Sequence, residues 1–192
     1  MQFTSHFVGV KFPENALSGL FVVLKQYVQN HSLHDSIVLV EPSTLHITLY
    51  YLDKTLSKSD KVFIKKFISD HQYYDDVCLQ NLQFFSHNND LKVGYLSVLE
   101  EEPFRTMNCK LRESLSHDHI ADNDFDFVPH CTLFLIKNSR QFADHKTNIE
   151  NIVQTYLKTN TRVRAEGIYL YGVNSASDFE KFHIYSPEEI GS

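Results

Sequence analysis

Two histidine–threonine pairs stand in matching sequence frames. Residues 45–50 read LHITLY and residues 129–134 read PHCTLF. Each frame holds a histidine, an apolar residue, a threonine, a leucine and an aromatic residue in that order. Composition alone predicts on the order of 0.02–0.03 occurrences of this pattern per chain, so two copies indicate more than chance. The repeat predicts two halves of related topology.

Both frames are typical of β-strands, in which side chains alternate between the two faces. The histidine, the threonine and the final aromatic residue of each frame are therefore predicted to share one face. The residues on this face are His46, Thr48 and Tyr50 in the first frame and His130, Thr132 and Phe134 in the second. The intervening apolar residues are predicted to face the core. If the halves face each other, two histidines and two threonines meet in one cleft.

Two facing imidazoles suit the cleavage of a phosphodiester. A neutral histidine can take a proton from an attacking hydroxyl or water, and an imidazolium can give one to the leaving oxygen. The hydroxyls of Thr48 and Thr132 can donate to the nonbridging phosphate oxygens as negative charge builds there. Tyr50 and Phe134 either stack on a nucleobase or pack in the core. This chemistry requires no metal and no cofactor.

The paired frames resemble the motifs of the 2H phosphoesterase superfamily. That group includes the LigT-like RNA 2′,3′-cyclic phosphodiesterases, often called 2′-5′ RNA ligases, and enzymes that degrade 2′,5′-oligoadenylates. The similarity extends to FVPHCTL at residues 127–133 and to FVGVKFP at residues 7–13, which precedes a predicted helix. Residues 82–115 resemble the central hairpin and helix of the family, and residues 168–185 resemble its closing strands.

The resemblance implies an α+β fold for a single domain over residues 1–192. Its expected form is bilobal, with two mainly antiparallel sheets, flanking helices and pseudo-two-fold symmetry. The catalytic residues of the family correspond to His46, Thr48, His130 and Thr132. The implied reaction is attack on phosphorus by a neighbouring ribose hydroxyl or by water. A 2′,5′ linkage would pass through a 2′,3′-cyclic product, and a preformed cyclic phosphate would be opened by water.

The composition excludes several other classes. The chain has 192 residues, 42% hydrophobic and 22% charged, with a formal net charge of −6. This acidic balance disfavours long duplexes and favours a short nucleotide or an RNA end. Three scattered cysteines without a CxxC pattern suggest neither a zinc knuckle nor a redox site. We find no signal-peptide pattern and no apolar run of ~18 residues, so we expect a cytoplasmic monomer without a membrane span.

Periodicity predicts four helices and eight strands, some of which follow each other directly. The predicted helices are residues 14–29, 57–69, 104–115 and 139–157. The predicted strands are residues 3–12, 37–40, 45–52, 77–85, 91–99, 128–136, 161–173 and 182–185. The strands at 77–85 and 91–99 would form a hairpin, so an all-parallel doubly wound sheet is disfavoured.

Several alternatives stay open on the sequence. The chain could instead be a nucleotide- or RNA-end-binding module without turnover, or a protein-interaction domain with a dead site. Neither the true linkage nor the division of acid and base between the histidines can be read from it. The side chains that could bind phosphate are Lys11, Lys92, Arg105 and Arg164. His6 and His183 are strand residues that could lie near the cleft, and residues 117–119 (HDH) are interpreted as a solvated loop, not a metal site.

Overall fold

The chain forms a mixture of strands and helices, as the periodicity predicts, and some strands follow each other directly. The computed structural model describes residue 3 and residues 5–52, 55–73, 75–88, 90–115, 126–173 and 182–190. The described strands are β1 (Ser5–Lys11), β2 (Ile37–Leu39), β3 (His46–Leu52), β4 (Asp76–His87), β5 (Asp90–Val98), β6 (His130–Ile136), β7 (Arg162–Arg164), β8 (Gly167–Val173) and β9 (His183–Ile184). The described helices are α1 (Ser18–Asn30), α2 (Lys58–His71), α3 (Glu102–Leu115), α4 (Ser139–Ala143), α5 (Lys146–Leu157) and α6 (Pro187–Ile190).

The described strands form one antiparallel sheet made of two halves. Its order is β7-β4-β5-β6-β3-β1-β8-β9, and β2 pairs with β6. The halves meet where β3 pairs with β6, and Ile47 opposite Cys131 is the register pair at that junction. The predicted α+β class is thus confirmed, and the two expected sheets are joined through the two motif strands. Burial raises the pKa of the Cys131 thiol to about 12, so this residue packs as a neutral side chain.

Each motif strand contains a bulge at the same position of its motif. Along β3, Thr48 and Tyr50 oppose consecutive residues of β1, which leaves Leu49 as the extra residue. Along β6, Thr132 and Phe134 oppose consecutive residues of β5, and Leu133 is the extra residue. The pattern of buried and half-buried side chains is the same along the two strands. The two halves, which the sequence repeat predicts to be related, therefore also share the same backbone bulge.

Amphipathic helices cover the sheet with their apolar faces. The buried residues of α1 are Leu20, Phe21, Leu24 and Val28, and those of α3 are Phe104, Met107, Leu111 and Leu115. Helix α2 begins at a capping box, in which Ser57 and Asp60 each accept a hydrogen bond from the other's backbone amide. None of the helices in the described ranges is long and apolar enough to cross a membrane.

Two predicted helices differ from the observed ones. The first was expected from residue 14, but α1 begins at Ser18 because Leu17 adopts a left-handed backbone conformation (φ 56°). The helix predicted over residues 139–157 is divided into α4 and α5. The turn between them lets Phe142 enter the core beside Phe84 and Phe134 while α5 packs on α1.

The strand predicted over residues 161–173 is also divided, into β7 and β8. Strand β7 pairs with β4 at one edge of the sheet, whereas β8 pairs with β1 in the other half. The chain turns between them at Gly167, whose φ of 139° lies in a region that favours glycine. The alternation of apolar and polar residues in the sequence does not indicate where the chain changes the strand with which it pairs.

Replacing Gly94 by alanine should destabilise the fold. Gly94 lies opposite Phe134, and an added methyl group would come within 2.3 Å of the Phe134 ring. Overpacking of this kind costs about 1–3 kcal/mol, which urea unfolding can measure. The same change in a Phe134→Leu background should cost less, because the smaller side chain leaves room. Equal costs in the two backgrounds would contradict this account.

Candidate active site

The two motif histidines are held in the same way. Nδ1 of His46 lies 2.6 Å from the carbonyl oxygen of Thr44, and Nδ1 of His130 lies 2.7 Å from that of Val128. A carbonyl oxygen can only accept a hydrogen bond, so Nδ1 carries the proton in each ring. In the neutral rings, Nε2 is then the atom with a free lone pair. Both histidines therefore have the tautomer that a general base at Nε2 needs.

A stacked pair of aromatic rings flanks each histidine. The rings of Phe7 and Tyr171 stack at 4.4 Å, and Phe7 lies 4.7 Å from the His46 ring. In the other half, Phe85 and Tyr95 stack at 4.2 Å and contact His130 edge to face, at 4.8 and 5.1 Å. These rings hold the imidazoles in place and displace water from one side of each.

This environment favours the neutral form of both imidazoles. Burial lowers the pKa of His46 to about 4, against the raising effect of the Thr44 carbonyl. A positive charge on His130 would add to this lowering. Burial likewise lowers the pKa of His130, again against the effect of a backbone carbonyl. As whole residues, His46 and His130 are both half-buried.

The bulges change which aromatic residue faces the cleft. An extra residue reverses the alternation beyond it. Phe134 is therefore fully buried and packs against Phe142, which contradicts the prediction that its ring could stack on a base. Tyr50 is also buried and packs in the core, although part of it borders the cleft. Tyr51, which the alternation placed in the core, packs beside Phe7 and Tyr171 on the cleft side.

A cavity of about 360 Å³ opens beside two of the predicted catalytic residues, Thr48 and His130. Rings form much of its wall, and its polar side chains include an amide, a guanidinium and a carboxylate. Its other lining residues are Leu49, Tyr50, Tyr51, Phe85, Asn108, Arg112, Asp126, Phe127 and Val128. Thr132 is half-buried in β6 and lies opposite Tyr95. The structure thus brings Thr48 of one motif to His130 of the other.

Asn108 and Arg112 border this cavity and were not found from the sequence. They lie four residues apart on α3, so they share one face of that helix. The sequence feature that could have indicated these two residues is their four-residue spacing, next to the apolar residues of α3 that pack in the core. The sequence could not indicate that α3 packs next to β3, since that contact is long-range.

The basic residues considered for phosphate are mostly engaged elsewhere. Lys11 pairs with Glu166, and Lys92 lies 3.5 Å from Asp90. Arg105 pairs with Glu101 and donates to the Phe127 carbonyl at 2.7 Å. Arg164 is exposed at the end of β7.

Three other histidine predictions have different outcomes. His6 is buried, and its Nε2 lies 3.1 Å from the Tyr185 hydroxyl. His183 lies 3.0 Å from a Glu189 carboxylate oxygen, so both histidines belong to a cluster with Tyr185 outside the cavity. The interpretation of residues 117–119 as a loop lies outside the described residues. In the described part of the chain, no group of three or more His, Cys, Asp or Glu side chains is placed to hold a metal.

Comparison with known proteins identifies relatives of this chain. The family model described as "AKAP7 2′5′ RNA ligase-like domain" matches residues 4–187. No curated protein matches the chain. Solved structures similar to it include TT0787 of Thermus thermophilus, with 16% identity, a TM-score of 0.67 and 95% of both chains covered. Escherichia coli LigT complexed with 3′-AMP has 14% identity and a TM-score of 0.61, covering 96% of this chain and 94% of that one. Kluyveromyces marxianus Usb1 has 14% identity and a TM-score of 0.55, covering 95% and 98%.

Acidification should destabilise the protein through these histidines. A ring kept neutral in the folded state binds fewer protons than in the unfolded chain below a pH of about 6.5. The unfolding free energy should therefore fall as pH drops from about 6.5 to about 4, by roughly 1–2 kcal/mol for the partly solvated His46. Urea unfolding at several pH values measures this slope.

His46→Gln should reduce the slope, because glutamine takes up no proton. Exposed His34 provides the matched control, and His34→Gln should leave the slope as it is in the wild type. A slope that is unchanged in His46→Gln would show that His46 is not kept neutral by folding.

Proposed function

The chain belongs to the AKAP7 2′5′ RNA ligase-like domain family of the 2H phosphoesterase superfamily, and on this basis we propose that it is a metal-independent phosphodiesterase. Its proposed substrate is a short RNA-type molecule, either a 2′,5′-linked oligonucleotide or a 2′,3′-cyclic phosphate. The observation that carries the proposal is the pair of imidazoles on the two adjoining motif strands, each with Nδ1 bonded to a backbone carbonyl two residues earlier and therefore in the same tautomer.

Cleavage of a 2′,5′ linkage needs two proton transfers. The neighbouring 3′-hydroxyl attacks phosphorus, and a neutral imidazole accepts its proton at Nε2. The bond from phosphorus to the 5′-oxygen breaks, and an imidazolium gives that oxygen a proton. The products are a 2′,3′-cyclic phosphate and a free 5′-hydroxyl. Because nucleophile and phosphorus belong to one molecule, proximity lowers the barrier without a metal.

We assign His46 as the general base and His130 as the general acid. Burial and the charge of His130 together hold the pKa of His46 at about 4, so His46 is neutral at physiological pH. His130 lies in the cavity wall, where a bound phosphate would favour its protonated form. Thr48 and Thr132 act as donors to the nonbridging oxygens in this proposal.

The position of the cavity is consistent with a small substrate that binds there, to one side of the reacting phosphate. It adjoins Thr48 and His130, and its walls combine rings with Arg112 and Asp126. Rings can stack on a base, and the polar ends can pair with its edge. LigT, whose fold is similar, has been crystallised with 3′-AMP, NADP⁺ and ATP. A net charge of −6 is consistent with few phosphate contacts.

Adenosine substrates of each linkage type test the activity directly. The 2′,5′-linked dinucleotide and the 2′,3′-cyclic phosphate should be cleaved with or without EDTA, and the 3′,5′-linked isomer much more slowly. His46→Gln and His130→Gln should each reduce turnover by about 10²–10⁴-fold, since each removes a proton-transfer group.

His34→Gln again serves as the control and should keep wild-type turnover. Product analysis by chromatography separates the possible outcomes. Tight binding of these nucleotides without cleavage would favour the alternative function, a binding module. Loss of activity in EDTA that returns with a metal would contradict the proposed chemistry.

A substrate with a good leaving group distinguishes the two histidines. In adenosine 2′-(4-nitrophenyl phosphate), the nitrophenolate departs without a proton, so the general acid becomes dispensable. On this ester His130→Gln should stay within about tenfold of the wild type, whereas His46→Gln should remain as impaired as on the dinucleotide. Release of nitrophenolate is followed by its absorbance. The reverse pattern would exchange the two roles.

A further inference from the structure

Asn108 donates a hydrogen bond to the residue that follows Thr48. Its Nδ2 lies 2.6 Å from the carbonyl oxygen of Leu49, which is the extra residue in the β3 bulge. We propose that Asn108 is a positioning residue, which acts on the reaction by holding Thr48 towards the phosphate. The proposal rests on the phosphodiesterase activity proposed above and adds a residue outside both motifs.

A bulge needs such a partner. The extra residue is left out of the strand ladder, so its backbone groups must find hydrogen bonds elsewhere or lose them on burial. The Leu49 side chain is 1% exposed, which places its peptide at the core boundary. The amide of Asn108 satisfies the Leu49 carbonyl and so fixes the Leu49–Tyr50 peptide, one residue beyond Thr48.

The other half meets the same need in a different way. There the extra residue is Leu133, and its carbonyl accepts a hydrogen bond from the Val40 amide at 3.0 Å. Val40 directly follows β2, which pairs with β6 beyond the bulge. Backbone therefore supports the bulge beside Thr132, whereas a single side chain supports the one beside Thr48. This difference makes Thr48 sensitive to one substitution.

Helix α3 makes Asn108 a rigid support. Met107 and Leu111, on either side of it along the helix, are buried in the core. Asn108 also borders the cavity that contains Thr48 and His130. A displacement of about 1 Å at a reacting centre can cost on the order of 10²-fold in rate, so a small movement of the bulge is sufficient to matter.

A double-mutant cycle on the dinucleotide cleavage tests the proposal. Asn108→Asp removes the donor and keeps the shape, and it should lower kcat by about 10–100-fold while KM changes little. Thr48→Val should lower kcat by about 10²–10³-fold. Adding Asn108→Asp to Thr48→Val should cause no further loss beyond about twofold, because both changes act through the same hydroxyl.

Additive losses would overturn the proposal, because they would show that Asn108 acts independently of Thr48. A change confined to KM would also overturn it, because it would indicate direct contact between Asn108 and substrate. Ser139→Ala is the matched control: the Ser139 hydroxyl donates to the Leu91 carbonyl at 2.8 Å, outside the cavity. It should leave kcat unchanged. If Asn108→Asp does not fold, Asn108→Ala replaces it in the same cycle.

Amide hydrogen exchange separates this inference from the proposed function. Loss of the Asn108 bond should speed exchange at Thr48 and Tyr50 by about tenfold or more, whether or not the protein turns over substrate. Unchanged exchange in Asn108→Asp would overturn the inference and leave the phosphodiesterase proposal intact. Absence of turnover in the wild type, with faster exchange in the variant, would overturn the proposed function alone.

Discussion

One extra residue in each motif strand, Leu49 in β3 and Leu133 in β6, determines where the surrounding side chains point. Up to the bulge, alternation directs the histidine and threonine to the cleft and the apolar residues to the core. Beyond it the faces are exchanged, so Tyr50 and Phe134 are buried. The chain can thus bury a large aromatic ring and still direct a histidine–threonine pair to the cleft within a few residues. Without the extra residue, strict alternation would turn Tyr50 and Phe134 towards the cleft and lose the apolar area that they bury.

The second physical feature is the partial removal of water around the imidazoles. Stacked rings cover His46 and His130, and a backbone carbonyl holds each Nδ1 proton. Burial opposes protonation, while an incoming phosphate anion would promote it. In the proposed mechanism substrate binding therefore produces the charged form of one histidine and leaves the other neutral. The aromatic walls thereby link binding to the protonation state that the reaction needs.

The halves share a scaffold but differ in what surrounds it. The junction at Ile47 and Cys131 is buried on both strands, and the flanking burial patterns are the same. The supports of the two bulges differ, however, as does the cavity, which adjoins Thr48 and His130. Solved structures with 14–16% identity share the fold alone. Substrate selection should therefore depend on side chains such as Arg112, which belong to neither motif.

Local sequence determined most of the elements and the two histidine–threonine pairs of this protein. His46 and His130 could be recognised because the same five-residue pattern occurs twice: a histidine, an apolar residue, a threonine, a leucine and an aromatic residue. Apolar periodicity likewise located helices α1 to α5, apart from the turns at Leu17 and between α4 and α5, but it did not indicate the short α6. Only the tertiary structure decided the bulges, because an extra residue is defined by the neighbouring strand. It also decided the placement of Asn108, 59 positions from its acceptor, since contacts at that separation leave no local pattern.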